Sequence, residues 1–204
     1  MKVYIFFSIC CCYCLAGFAA ESDFYGKPFT PENIREIVSA KGVDAVFKYV
    51  GNSPVLQARI QHEITSGDED WLDIFLLLRQ HPESEWGGQL DLLLAYAVTS
   101  NTEYSLNVIK QYQITYQDYF RDNFLPPYAV LICGNVYEDW ILGSGAVNEG
   151  DMASSAHEAL CEREMALNVI EDTSLLETRD ACKKSVARKK NFWSKYCKRE
   201  QTDN

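Results

Sequence analysis

Apolar residues along most of this chain recur at three- and four-residue steps, the spacing that lays them on one face of a helix. The first clear run follows Thr30-Pro31-Glu32, a hydroxyl N-cap with proline at the first helical position. It carries Ile34, Ile37, Val38 and Ala40 on its buried stripe, and Gly42 ends it. Asp44 caps a short helix to Val50, and Ser53-Pro54 repeats the start signal for Val55 to Thr65, with Gly67 as the stop. Asp68-Glu69-Asp70 then loads acid at the next helix N-terminus, where the macrodipole favours it. Trp71 to Leu78 is apolar almost all round, the mark of a helix covered on more than one side, and Pro82 ends it. Leu90 to Val98 predicts another buried helix and Tyr104 to Tyr112 a more amphipathic one. Ser66-Gly67-Asp68-Glu69 with Leu72 is echoed by Ser100-Asn101-Thr102-Glu103 with Leu106, at a spacing close to that of helix-pair solenoids.

From Ala153 to Cys197 the pattern predicts two helices folded back on each other. The first, capped by Asp151 or Ser154, carries His157, Leu160, Cys161, Met165, Leu167 and Ile170. Thr173 caps the second, whose stripe is Leu175, Cys182, Val186, Trp193 and Cys197, with Lys183, Lys184, Arg188, Lys189 and Lys190 on the outer face. No strand-like alternation persists anywhere. The fold expected is all-α: stacked helical hairpins, as a short solenoid-like array or an irregular bundle, closed by a disulfide-stapled C-terminal hairpin.

If that hairpin reverses about Asp172, Cys161 and Cys182 sit nearly level, each roughly 15 Å from the turn. Cys197 lies roughly 20 Å past the residue facing Cys161, while a disulfide spans only about 4.4–6.8 Å between Cα atoms. The favoured pairing is therefore Cys161–Cys182 with Cys133–Cys197. Cys133–Cys182 with two free thiols is the alternative.

The stretch between the helical runs is different in kind. Tyr112, Tyr116, Tyr119, Phe120, Phe124, Tyr128, Tyr137 and Trp140 crowd it, Pro126-Pro127 interrupts any helix, and a long glycine-marked loop runs from Gly134 to Gly150. These rings either cover the hairpin and pack around Cys133 or offer the aromatic anchors that interfaces favour.

Composition places these elements. Lys2 followed by the apolar run Val3 to Leu15, with small residues at Gly17 and Ala19, reads as a secretory signal over residues 1–19, cleaved near Ala19. That run is too short for a membrane span, which needs about 20 apolar residues. Phe18 stands where a lipidated cysteine would be, so no lipid anchor is expected. Residues 20–204 then form a single helical domain, periplasmic or secreted, where disulfides persist. Removing Lys2 takes 19 basic residues to 18 against 29 acidic, a net charge of −11. Nucleic acid is a poor partner for such a chain, whereas a basic protein is steered toward it.

Catalytic patterns are absent. No phosphate-binding glycine loop, Gly-x-Ser-x-Gly elbow or Cys-x-x-Cys pair occurs after residue 19. His157-Glu158 opens like a zinc-protease helix, but Cys161 stands where the second histidine belongs. His157 and Cys161 share a helix face, where a metal pair or nucleophile pair would need them, yet no further ligand is spaced nearby. Asp68, Glu69, Asp70 and Asp73 fit helix capping rather than a calcium loop. No catalytic residue, metal or cofactor is expected.

Gly67-Asp68-Glu69-Asp70-Trp71-Leu72, Leu92-Leu93-Leu94-Ala95-Tyr96-Ala97-Val98, the Cys133-Gly134 step and Thr178-Arg179-Asp180-Ala181-Cys182 resemble stretches of small exported all-helical proteobacterial proteins. That resemblance covers about half of the chain after the leader, carries no assigned function, and implies that Cys133 and Cys182 pair. In size, export and cystine content the chain is also similar in style to periplasmic immunity proteins. The function expected is a non-enzymatic binding protein, in its most concrete form an immunity-type inhibitor of a basic toxin or envelope enzyme. Tyr119, Tyr128, Tyr137, Glu138, Asp139 and Trp140 are its expected contacts. The alternatives are a structural or assembly helper of the cell envelope and an envelope-acting hydrolase.

Overall fold

Thr30 caps the first helix through its side chain, which accepts from the Asn33 amide, and Pro31 opens it. The computed structural model describes residues 24–80, 86–136 and 149–199, the side chains of 149–153 and 195–199 excepted. Its helices are α1 (Pro31–Lys41), α2 (Val43–Gly51), α3 (Pro54–Thr65), α4 (Glu69–Leu78), α5 (Gly87–Ser100), α6 (Thr102–Thr115), α7 (Gln117–Asp122), α8 (Tyr128–Cys133), α9 (Glu149–Asn168) and α10 (Leu176–Arg199). One 3-10 turn, Thr173–Leu175, precedes α10, and no strand occurs among the described residues. The proposed leader 1–19, Pro82, Tyr137 to Trp140 and the Cys197 side chain lie outside the described residues.

Contacts divide the chain into two compact units that meet at Ala58 and Arg59, within α3. In the first, α1 packs on α2. Phe24, Tyr25, Phe29 and Tyr49 form an aromatic knot with centroids 4.8–5.4 Å apart, and Ile34, Ile37, Val46, Phe47 and Val50 fill the core.

In the second unit, α5 is enclosed most fully, burying Leu90, Leu92, Leu93, Leu94, Ala95, Ala97 and Val98. It packs against α4, α6, α8 and α9. The echoed turns ahead of α4 and α6 perform the same job. Asp68 accepts from the Trp71 amide at 3.2 Å and Asn101 from the Tyr104 amide at 3.3 Å. They also stack on each other: Asn101 Nδ2 donates to the Gly67 carbonyl at 3.0 Å and Ser100 Oγ to the Thr65 carbonyl at 2.8 Å. Gly67 has φ +79°, and a Cβ there would lie 2.6 Å from the Asn101 Cβ, so glycine is needed for both backbone and contact.

Helices α9 and α10 form the expected hairpin, with a register that corrects the cysteine pairing. Arg179 Nη1 donates to the Ile170 carbonyl at 2.9 Å, and Lys190 bonds Glu164. Both pairs centre the reversal beyond Asp172, between Ser174 and Glu177. Cys161 consequently faces the neighbourhood of Lys190, about 12 Å along α10 from Cys182 at 1.5 Å per residue, which no disulfide bridges. Cys182 instead pairs with Cys133 of α8, with Cα atoms 5.0 Å apart. The pairings Cys161–Cys182 and Cys133–Cys197 are thereby replaced by Cys133–Cys182, and Cys161 is free. The same register turns Lys190 inward from the outer face assigned to it. Helix α9 also begins at Glu149, earlier than either expected cap.

Candidate interaction surface

Helix α7 ends in a way its sequence does not invite. The Leu125 amide reaches the Phe120 carbonyl at 2.9 Å and the Phe124 amide reaches the Arg121 carbonyl at 3.1 Å. These two bonds define a Schellman C-cap, whose turning residue is left-handed and most often glycine. Here it is Phe124, at φ +53°, a conformation costing a bulky residue roughly 1–2 kcal/mol. Its ring gains no burial in return, being 96% exposed. Ile114 and Leu125 are exposed nearby in the chain, and Pro126 and Pro127 hold the segment out of helix until α8. Arg121 binds Asp118 at 2.9 Å and Asp122 at 3.0 Å, so two carboxylates against one guanidinium leave α7 with a negative balance.

The base beneath this turn is a buried aromatic cluster. Tyr112, Phe120 and Tyr128 are buried and stacked, with Tyr112 and Tyr128 centroids 4.3 Å apart and Phe120 5.7 Å from Tyr128. The Tyr128 amide donates to the Gln113 side chain and its hydroxyl to Asp91. Asp91 takes a two-point contact from Arg79, Nε to Oδ1 at 2.8 Å and Nη2 to Oδ2 at 3.1 Å. The Arg79 guanidinium lies 5.4 Å from the Tyr112 centroid. Burial first, and the Asp91 charge after it, hold Tyr128 well above the ordinary tyrosine value. Burial opposes the Arg79 charge, but Asp91 reverses this and keeps the guanidinium above its ordinary value.

A second buried cation braces the other side. Arg163 on α9 is wholly buried, and its Nη1 donates to the carbonyls of Cys133 at 2.7 Å and Asn135 at 2.8 Å. Burial pushes its pKa down to about 10, since no carboxylate among the described residues bonds it. Ser185 Oγ donates to the Val130 carbonyl at 2.7 Å, so α8 is tied to α9 and α10 at the disulfide.

Of the contacts expected from sequence, Tyr119 is half-buried on α7, edge-on to Phe120 at 5.8 Å. Tyr128 is corrected: 1% exposed, it supports the turn from below and has no face for a partner. Tyr137, Glu138, Asp139 and Trp140 lie outside the described residues. Phe124 was the residue to single out. Its signal is Asn123-Phe124-Leu125 directly ahead of Pro126-Pro127, where an aromatic ring cannot belong to a buried helical stripe.

Away from this surface, His157 Nδ1 lies 3.7 Å from the half-buried Cys161 sulfur. Glu164 first, and that sulfur after it, hold the Lys190 ammonium above its ordinary value. No group of three His, Cys, Asp or Glu among the described residues could hold a metal. No described helix is long and apolar enough to cross a membrane. No family model, no curated protein and no solved structure matches the chain.

Proposed function

We propose that this chain is an exported, non-enzymatic binding protein that inserts Phe124 into an apolar pocket of a basic protein partner. An immunity-type inhibitor of a toxin or envelope enzyme is its most concrete form. The observation that carries the reading is Phe124 itself, a bulky residue held left-handed at a helix C-cap with its ring in solvent. Strain maintained without a packing reward is the signature of a functional constraint. The chain's net charge of −10 and the acidic balance of α7 suit a cationic rim around such a pocket. The disulfide suits an oxidising compartment.

The test is a photo-crosslinking amino acid at position 124 in the native host, with the captured protein identified by mass spectrometry and its affinity measured. Phe124→Gly is expected to stabilise the chain by about 1 kcal/mol, because glycine accepts the left-handed backbone. The same change should weaken binding by tenfold or more, the loss of a central aromatic anchor. Phe192→Ala, at another exposed ring, should leave affinity unchanged. Capture of nothing above background, or full affinity in Phe124→Gly, would overturn the reading.

A further inference from the structure

Arg163 is wholly buried on α9, yet only Nη1 of its guanidinium nitrogens bonds the protein. Nη1 donates to the Cys133 and Asn135 carbonyls at the end of α8. Nε and Nη2 are equally buried and find no partner among the described residues. These two nitrogens share one edge of the planar fork, the edge that takes a carboxylate at two points. The protein contains its own example. Arg79 offers the same pair to Asp91, Nε at 2.8 Å and Nη2 at 3.1 Å. Asp91 gives Arg79 a counter-charge, whereas Arg163 is flanked by the Tyr96 ring, 5.7 Å from guanidinium carbon to centroid.

A guanidinium stays protonated in the neutral range, and enclosing its charge without a counter-charge is strongly unfavourable. The two carbonyls offset part of this through their dipoles but carry no net charge. Each unbonded N–H adds a desolvation cost of its own. An anion against the Nε–Nη2 edge would remove both costs together. Room lies close by. Tyr96 also lines a pocket of about 250 Å³, with Thr65, Thr99 and Ser100 and with Ala159 and Glu162 of α9. Ala159 stands one turn before Arg163, so solvent comes to the ring that flanks the buried charge. Glu162 on the same wall disfavours a multiply charged anion.

We infer that Arg163 is the centre of a buried site for one small monovalent anion, a carboxylate of formate size or a chloride, held at two points by Nε and Nη2. Closure of both nitrogens from solvent limits the ligand to a few atoms. The site is independent of Phe124, which lies at the end of α7.

Sodium formate and sodium chloride are the probes, each exchanged against sodium gluconate at constant ionic strength, so that screening is unchanged and a bulky anion is the blank. Calorimetric titration of the folded chain should give one site, and the Arg163 Nε–H resonance should move in step with it. At an anion concentration a hundredfold over the dissociation constant, the urea midpoint should rise by about 1 M over gluconate. Arg163→Met, which removes the charge at similar length, should lose the heat and the midpoint shift. Should that variant not fold, the Arg163 resonance in the unaltered chain decides alone. A response to formate without chloride supports the site and assigns it to carboxylates; the reverse supports it and assigns it to halides. No midpoint shift with either anion would overturn the inference. So would an Arg163 resonance that stays still during the titration, or a folded Arg163→Met protein that binds as before.

Discussion

Asp91 is the residue on which the aromatic base under Phe124 most depends. It neutralises Arg79, which is 5% exposed at its side chain, and accepts from the Tyr128 hydroxyl. Asp91→Asn would leave a buried guanidinium without its counter-charge, a loss of about 3–5 kcal/mol, read as a lower urea midpoint at unchanged slope. The tyrosines make the fold sensitive to alkali. Tyr112 and Tyr128 are held above the ordinary value of 10.0 chiefly by burial. Burial and then the bond to Asp73 push Tyr104 up to about 12. Raised folded values favour the protonated hydroxyl, so this stability is complete below the unfolded value near 10 and is lost as pH climbs. Unfolding free energy measured across that range should fall together with the rise of tyrosinate absorbance. Tyr104→Phe should blunt the decline around pH 12. At this scale the sequence displayed the residues but not their partners. Nothing in Arg79 or Asp91 as letters says that they meet across two helices, and Tyr128 in a proline-flanked run looks as exposed as Phe124.

Most elements were legible because their signals are local. Thr30-Pro31, Ser53-Pro54 and Asp68 start helices where the hydroxyl, proline and carboxylate chemistry says they should. The echo of Gly67 in Asn101 marked two turns that lie against each other. The short helices α7 and α8 were not legible, since six residues each give too little periodicity to separate from irregular chain. The hairpin register is set by a feature that the pattern of apolar residues does not carry. A turn centred on Asp172 assumes symmetric arms, whereas the 3-10 turn Thr173–Leu175 displaces the reversal and slides Cys182 away from Cys161. The resulting bridge joins α8 to α10 across 49 residues of sequence. Reducing it should cost about 4 kcal/mol by loop-closure entropy, seen as a lower urea midpoint under reductant, and Cys133→Ala should reproduce the shift. A midpoint indifferent to reductant would show that helix packing alone holds α8 in place.

Over the whole molecule, charge and fold act at different ranges. On the proposed function, the net charge of −10 would steer a basic partner from a distance, whereas Phe124 would act only on contact. Raising salt from about 0.01 to 0.15 M, which shortens screening from about 30 to 8 Å, should slow association by roughly tenfold or more. It should leave dissociation nearly unchanged. Phe124→Gly should do the reverse, acting mainly on dissociation. What the sequence by itself determined is the all-helical class, the helix starts at Thr30, Ser53 and Asp68 and the acidic balance, because each depends on residues within a turn or two of one another. What only the tertiary structure decided is which cysteines meet, which tyrosines are covered, and that a phenylalanine stands strained in solvent. Those outcomes hang on the register and approach of helices distant in the chain, and no local periodicity encodes how far one helix slides along another.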